Sequence, residues 1–341
     1  MPTNERPGVY SSYEVTSSVT GAAAGGAVGC AAVGEKGAAL GVTRIASRAA
    51  AVAAFGSGGI TELIALALRN GAGAVYARCL AAGAQTADYA AAFGELAETE
   101  GIEVVLCDSR AAAVHAALKE SILSAGESSR YRIGVAEVTG TAAEMTAAAA
   151  AVNCERMVLV AADGNNAAGA AAAALSGVMA ATADPALPLN GAELLGVTAP
   201  TCWSDDEVNS LVRGGVTLTE SAAGTPAVLR AVTSRTTTGG AADSTWREVT
   251  TVRIIDELIP GIRTALRARF ARAKNTAQTR GAIRTQVVIE LEDRLAREII
   301  DGYGDVTVAP AADDPTTCEV QFEFTVAHGL NHISLAAKIT V

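Results

Sequence analysis

The chain has 341 residues, 50% of them hydrophobic but only 4% aromatic, and a formal net charge of −10. That length exceeds one ordinary domain and predicts two packed domains with cores of Ala, Val, Leu and Ile, while the acidic balance argues against general nucleic-acid binding. No apolar run reaches the roughly 18–20 residues of a membrane helix, the start lacks a signal-peptide pattern, and the six scattered cysteines form no C-x-x-C pair, so a soluble cytoplasmic product with buried, reduced thiols is expected.

Arg6-Pro7-Gly8-Val9-Tyr10 opens an extended segment in which Pro7 and Gly8 exclude helix. Val9, Tyr13 and Val15 fall on one side and Tyr10 on the other. Such an arm, residues 1–20, reaches about 50 Å, against a radius of gyration of about 20 Å for a compact chain of this length. It is therefore long enough to leave its own subunit. Small residues dominate 21–34 and predict a strand. Helical patterns near 46–54, 60–70, 85–99, 110–124, 141–151 and 166–181 then alternate with the apolar runs 74–80, 102–107, 131–138 and 157–162. Strands apolar on both faces and separated by helices predict a parallel-type α/β domain over 21–190.

Pro185, Pro188 and Gly191 punctuate the junction to a second domain. There 215–220 and 227–234 read as a hairpin, and 236–245 as a Gly/Thr/Ser loop. A helix over 248–273 carries Ile255, Leu258 or Ile259, Ile262, Leu266 and Phe270 on one face, with a kink or break expected near Pro260. A second helix spans about 281–301. Cys318–Val326 alternates strictly, Val320, Phe322, Phe324 and Val326 against Gln321, Glu323 and Thr325, as a half-buried strand does. Residues 191–330 thus read as an α+β domain, two helices on an antiparallel sheet. In 331–341, Ile333, Leu335, Ala337 and Ile339 recur at period two. Such a terminal strand suits completion of a sheet, in its own chain or a neighbour's.

No catalytic, cofactor or metal constellation emerges. Gly29-x-x-x-x-Gly34-Glu-Lys36 lacks the Lys and hydroxyl residue that a phosphate loop places directly after its second Gly. Asp108 and Asp163 follow predicted strands, where open α/β sheets bind ligands, but Asp108-Ser109 fits a helix cap and Asp163-Gly-Asn-Asn a turn. His328 and His332 straddle a turn with no third ligand, and His115 lies in an Ala-rich helix without a nucleophile motif. The competing reading from these residues is a soluble α/β ligand- or nucleotide-binding enzyme using Asp108 and Asp163.

The ordered set P-G-V-Y at 7–10, P-A-L-P-L-N-G at 185–191, the acidic helix start Asp205-Asp206-Glu207, Gly215-Val-Thr-Leu, Leu229-Arg230-Ala-Val-Thr, Arg247–Asp256 and His328–Thr340 resembles contractile phage tail sheath proteins. The same family includes the sheaths of contractile bacteriocins and injection systems. The resemblance covers about 185–341 and the first 35 residues; the Ala-rich middle corresponds to the family's variable outer region. It implies a structural subunit, not an enzyme, without cofactors. Subunits would polymerise as stacked hexameric rings around a tail tube and contract to drive the tube through the target envelope. Partners would be the chain itself, the tube protein, the baseplate and the tail terminator, with assembly in the bacterial cytoplasm into a virion tail or injection particle and no membrane insertion. An inner α+β domain would receive N- and C-terminal arms from two neighbours. Residues 253–284 hold eight bases against Asp256 and Glu257 in a chain that is otherwise acidic. The resemblance turns Arg263, Arg267, Arg269, Arg272 and Lys274 toward an anionic tube.

Overall fold

The computed structural model describes residues 25–162, 164–198, 203–222, 224–331 and 335. The first part of the chain runs β1 (Ala27–Val33), β2 (Thr43–Ile45), α1 (Arg48–Phe55), α2 (Ile60–Arg69), β3 (Ala74–Leu80), α3 (Thr86–Glu98), β4 (Ile102–Cys107) and α4 (Ala112–Glu127). It continues through β5 (Ile133–Val138), α5 (Ala142–Val152), β6 (Met157–Ala161), α6 (Ala170–Ala181), α7 (Asp205–Arg213), β7 (Val216–Ala222) and β8 (Thr225–Arg230). The eight strands form one sheet in the order β2-β3-β1-β4-β5-β6-β7-β8. The six central strands are parallel, and β2 and β8 close the edges antiparallel.

Helices cover both faces, which is why the central strands are apolar throughout; β5 and β6 are buried at every position. One face packs Phe55, Ile60, Ile64, Leu175 and Met179 against the sheet, the other Tyr89, Phe93, Leu118 and Met145. The Ala-rich α6 is buried on nearly all sides. A Cβ added at Gly177 would lie 2.4 Å from the Ala67 carbonyl of α2. Small side chains therefore let α6 pack closely beside α2, with both helices lying on the sheet. Capping boxes set two helix starts: Thr141 with Glu144 for α5 and Ser204 with Glu207 for α7.

The hairpin expected in the second domain instead extends this sheet, because β7 pairs parallel with β6 through Leu159–Val216 and Val160–Thr217. The α/β layer thus runs on to residue 230 rather than ending at 190. The Pro/Gly-marked segment near 185–194 does not leave the sheet either. Gly191 N–H donates to the Val228 carbonyl and Leu194 N–H to that of Pro226, both at 2.7 Å, so the segment lies along β8.

The loop 236–245 carries a two-residue ladder, β9 (Thr237–Thr238) with β10 (Ala241–Ala242), turned by Gly239 and Gly240 at φ 59° and 85°. The chain then forms α8 (Val249–Phe270), α9 (Ala277–Ala296), β11 (Ile300–Tyr303), β12 (Thr307–Pro310), β13 (Cys318–Gln321) and β14 (Phe324–Val326). The break expected at Pro260 does not occur. The helix continues through it, with Leu258 before and Ile262 after both buried in one core, so packing on either side outweighs the lost hydrogen bond. That core joins Ile254, Leu258 and Ile262 of α8 to Val287 and Leu291 of α9, with Ile299, Ile300 and Val306 beneath. Val249 and Val252, at the start of α8, belong to the core of the eight-stranded sheet. One helix therefore serves two cores.

Two helices on antiparallel strands are present as predicted, but the strands form two separate ladders, β11–β14 and β12–β13. The strand expected over 318–326 is divided at Phe322–Glu323, and its halves enter different ladders. Its alternation survives the division: every second residue from Cys318 to Val326 is half-buried and those between are exposed.

Candidate assembly surfaces

Each C-terminal ladder contains only two strands, so among the described residues each strand keeps one unpaired edge. The apolar sides of Val308, Val320, Phe322, Phe324 and Val326 cover the helical core without being fully buried. Phe322 and Phe324 stack with centroids 6.3 Å apart. Leu330 is 74% exposed and Leu335 is 93% exposed. Of the arm positions, Leu335 is thus solvent-facing in the single chain. Val9, Tyr10, Tyr13, Val15, Ile333, Ala337 and Ile339 lie outside the described residues.

The sequence segments that carry the sheath resemblance converge in space. Asn190 donates from Nδ2 to Asn331 Oδ1 at 2.8 Å and accepts from the Ala231 N–H at 3.3 Å. Gly329 lies against Pro188; a Cβ there would sit 2.3 Å from the proline ring. Arg230 pairs with Glu248. Arg156 of β6's approach grips Asp256 of α8 through two 2.7 Å hydrogen bonds. Together these contacts form a polar seam between the α/β layer and α8. Arg253 adds bonds from its Nη2 to the carbonyls of Met179 and Thr182, at the C-terminal end of α6. Burial holds the Asp256 carboxyl above its ordinary value, opposed by the Arg156 guanidinium. Burial likewise lowers Arg253, with Glu103 opposing.

Arg263, Arg267, Arg269, Arg272 and Lys274 are all exposed on α8 and the turn after it, but they are not equivalent. Arg263 donates to the Tyr131 hydroxyl at 3.3 Å and lies 5.8 Å from its ring centroid. Arg156 lies over the same ring at 5.0 Å. Arg263 therefore belongs to the seam. Arg269 donates to Gln286 of α9. Arg267, Arg272 and Lys274 make no hydrogen bond or ion pair with described residues and are the free charges of the set. The sequence missed the role of Tyr131 and Arg156, because a contact between residues 100 positions apart leaves no local signal.

The ligand crevice that an open α/β sheet offers is filled by the protein's own groups. Asp108 does not cap α4, whose cap position is Ala111 without a side-chain bond. Instead it crosses the point where strand order reverses: its carboxylate accepts from the Val33 N–H at 2.9 Å and from the Tyr89 hydroxyl at 2.5 Å. Gly169, at φ 86°, closes over it, since a Cβ there would lie 2.9 Å from Asp108 Cα. Glu137, fully buried at the end of β5, accepts from the Ala171 N–H at 2.7 Å and pairs with Arg110 at 2.8 Å. It thus neutralises the start of α6 and a half-buried guanidinium together. Asp163 lies outside the described residues.

His115 is buried and bonds the Ser109 carbonyl at 3.1 Å, and burial lowers its pKa. His328 is exposed, and His332 lies outside the described residues. Cys30, Cys79, Cys107 and Cys154 are buried free thiols, Cys107 pushed up to about 12 by burial, the opposite of an activated nucleophile. Among the described residues no group of His, Cys, Asp or Glu is arranged to hold a metal ion, and no helix is long and apolar enough to cross a membrane.

These features describe a fold with two-stranded ladders open at their edges among the described residues and a crevice filled by its own side chains. Residues 241–340 match the family model of the phage tail sheath C-terminal domain. By structure, the chain is similar to the helical sheath of the anti-feeding prophage in its contracted state. That match has a TM-score of 0.70 at 16% identity and covers 98% of this chain and 99% of that one. A chain of the six-fold symmetrised baseplate of the same prophage matches with a TM-score of 0.72 at 16% identity, covering 99% and 100%. The sheath tail protein of Desulfitobacterium hafniense matches with a TM-score of 0.66 at 12% identity, covering 94% and 100%. A search of curated proteins finds no match. The family-model match thus covers 100 of the 341 residues, and along the rest of the chain the likeness to sheath proteins is one of fold.

Proposed function

We propose that this chain is the structural subunit of a contractile tail sheath, polymerising as stacked hexameric rings around a tail tube and contracting to drive the tube through a target envelope. The observation that carries this reading is the coincidence of the sheath family match at 241–340 with the part of the fold where strand ladders are left open. Strand addition at such edges contributes roughly 0.5–1.5 kcal/mol per backbone hydrogen bond. Each buried Ile or Leu of an arm adds about 1.5–3 kcal/mol before ordering costs.

In this reading residues 1–20 and 331–341 are arms donated to two neighbouring subunits. Residues 21–190, with the hairpin to 230, form the outer part, and the helical and ladder region forms the inner part. Arg267, Arg272 and Lys274 face the tube. The likeness to sheath and baseplate chains supports self-association and a baseplate partner; tube and terminator follow from the same assembly. The subunit is a scaffold rather than a catalyst, and assembles before the particle is released.

Negative-stain imaging of the purified full chain tests the reading: tubes or stacked rings are expected, and a small closed oligomer with a bound ligand refutes it. Removing 333–341 is expected to leave a monomer of unchanged melting temperature that no longer polymerises. A large drop in the monomer's melting temperature would show that the strand pairs within its own chain.

A further inference from the structure

Beside the β9–β10 turn lies a cavity of about 320 Å³ lined by Arg213, Arg235 and Arg247 with Asp243. The walls are held in place by the chain itself. Asn153, at the end of α5, accepts from the N–H groups of Thr236 and Thr237 at 3.0 and 3.2 Å and donates to the Thr237 carbonyl. Arg235 is committed to Glu155 at 2.7 Å and to Thr238. Asp243 is committed to the Thr238 hydroxyl and the Thr245 N–H, which hold it down to about 2. The side chains of Arg213 and Arg247 have no hydrogen bond or ion pair with any described residue, although Arg247 is half-buried and its backbone is tied to Ser244 and Thr233. A half-buried guanidinium without an acceptor, in a chain of net charge −10, calls for an outside carboxylate.

The same short helix that ends at Arg213 begins with Asp205 and Asp206, adjacent, exposed, and likewise unengaged within the described chain. Every other adjacent pair of acids among the described residues has at least one member engaged: Asp256 with Arg156 and Glu257 with Arg297, Glu292 with Tyr303 and Asp293 with Arg294 and Arg297, and Asp314 with Thr316 and Thr317. One helix thus carries an unsatisfied acidic head and borders an unsatisfied basic socket at its tail. We infer that the cavity receives Asp205 and Asp206 of a second copy of this chain. Such a contact joins two different surfaces, so it propagates from copy to copy into a ring or a helical array instead of closing a dimer. The inference rests on the sheath reading and names one lattice contact within it.

The test uses the full chain and sedimentation of assembled material across a concentration series. Arg213→Gln/Arg247→Gln and Asp205→Asn/Asp206→Asn should each raise the critical concentration for assembly about tenfold, the effect of two charge pairs lost per contact. Arg213→Asp/Arg247→Asp combined with Asp205→Arg/Asp206→Arg should restore assembly that either reversal alone abolishes. Circular dichroism and the monomer melting temperature confirm that each variant folds. Unchanged critical concentrations for both neutral variants, or failure of the folded charge swap to restore assembly, overturn the inference while the sheath reading stands. Absence of any assembly by the wild-type chain refutes the sheath reading first.

Discussion

Replacing Arg156 with Met tests how the α/β layer and α8 are held together. The substitution keeps the aliphatic stem and removes the guanidinium from Asp256, to which it makes two 2.7 Å bonds, and from the Tyr131 ring at 5.0 Å. Both partners are mostly buried, at 13% and 18% side-chain exposure. Removing one member of a buried pair costs about 3–5 kcal/mol, because the other charge is left desolvated. Residual exposure reduces this to about 2–3 kcal/mol. For a chain this long that lowers the melting temperature by roughly 3–4 °C, measured on the unassembled protein. The double variant Arg156→Met/Asp256→Leu should be more stable than Arg156→Met alone, since two well-packed apolar side chains replace an ion pair at little net cost.

The pH dependence adds a second readout. Burial already holds Asp256 above its ordinary value, and Arg156 opposes the shift. In Arg156→Met that opposition is gone, so the native state keeps a proton that the unfolded chain releases. Stability of the variant should then rise as pH falls from 7 toward the ordinary carboxylate range, narrowing the gap to wild type. A double variant that loses the sum of both single losses, or a gap that widens on acidification, would refute the reasoning.

Glu137→Ala strands both the Arg110 guanidinium and the Ala171 N–H, and should cost about 3 kcal/mol in denaturant unfolding, with Glu137→Gln milder. Reversing Arg267, Arg272 and Lys274 to Glu should leave the melting temperature unchanged while weakening tube-templated assembly and its salt dependence. Arg263→Glu should instead lower the melting temperature, by an amount set by about 1 kcal/mol of lost contact with Tyr131. Replacing 36–184 by a short linker removes β2–β6, leaving β1 without a neighbour and β7 with β8 alone. That chain should fail to give a cooperative melt; a folded, ring-forming product would show the outer part to be separable.

Most elements were legible because the two periodicities are clean where aliphatic side chains set them. The runs 74–80 and 102–107 coincide with β3 and β4, and the helical stretches with α1–α6 within a few residues. Legibility failed where distant contacts decide. Pro188 and Gly191 look like a domain boundary because turn chemistry is local, yet the segment is hydrogen-bonded along β8. The Gly/Thr/Ser loop at 236–245 is tied down by Asn153, more than 80 residues away, and no composition reveals that. Asp108 read as a cap because Asp before a helix usually is one; its actual partners, Val33 and Tyr89, come from two other elements. Within the basic segment, charge alone could not separate Arg263 from Arg267, since the difference is a tyrosine 132 positions earlier.

The seam itself follows from the low aromatic content of the chain. Only Val249 and Val252 anchor α8 in the sheet's core, too little apolar surface to fix the angle of a 22-residue helix. Apolar contact is non-directional and tolerates sliding. Directed hydrogen bonds do not: the bidentate Arg156–Asp256 pair, the single Arg230–Glu248 pair and the bonds of Arg253 to the end of α6 each constrain distance and orientation together. Three such contacts over the first two turns of α8 specify its direction while contributing little net stability, because each ion is desolvated to make them. The direction of α8 in turn sets where Leu258 and Ile262 meet α9, and so where the open ladders stand relative to the sheet. In the proposed assembly, where neighbours add to these strand edges, that angle has to be held within narrow limits, and the family-like segments of the sequence are gathered where it is set.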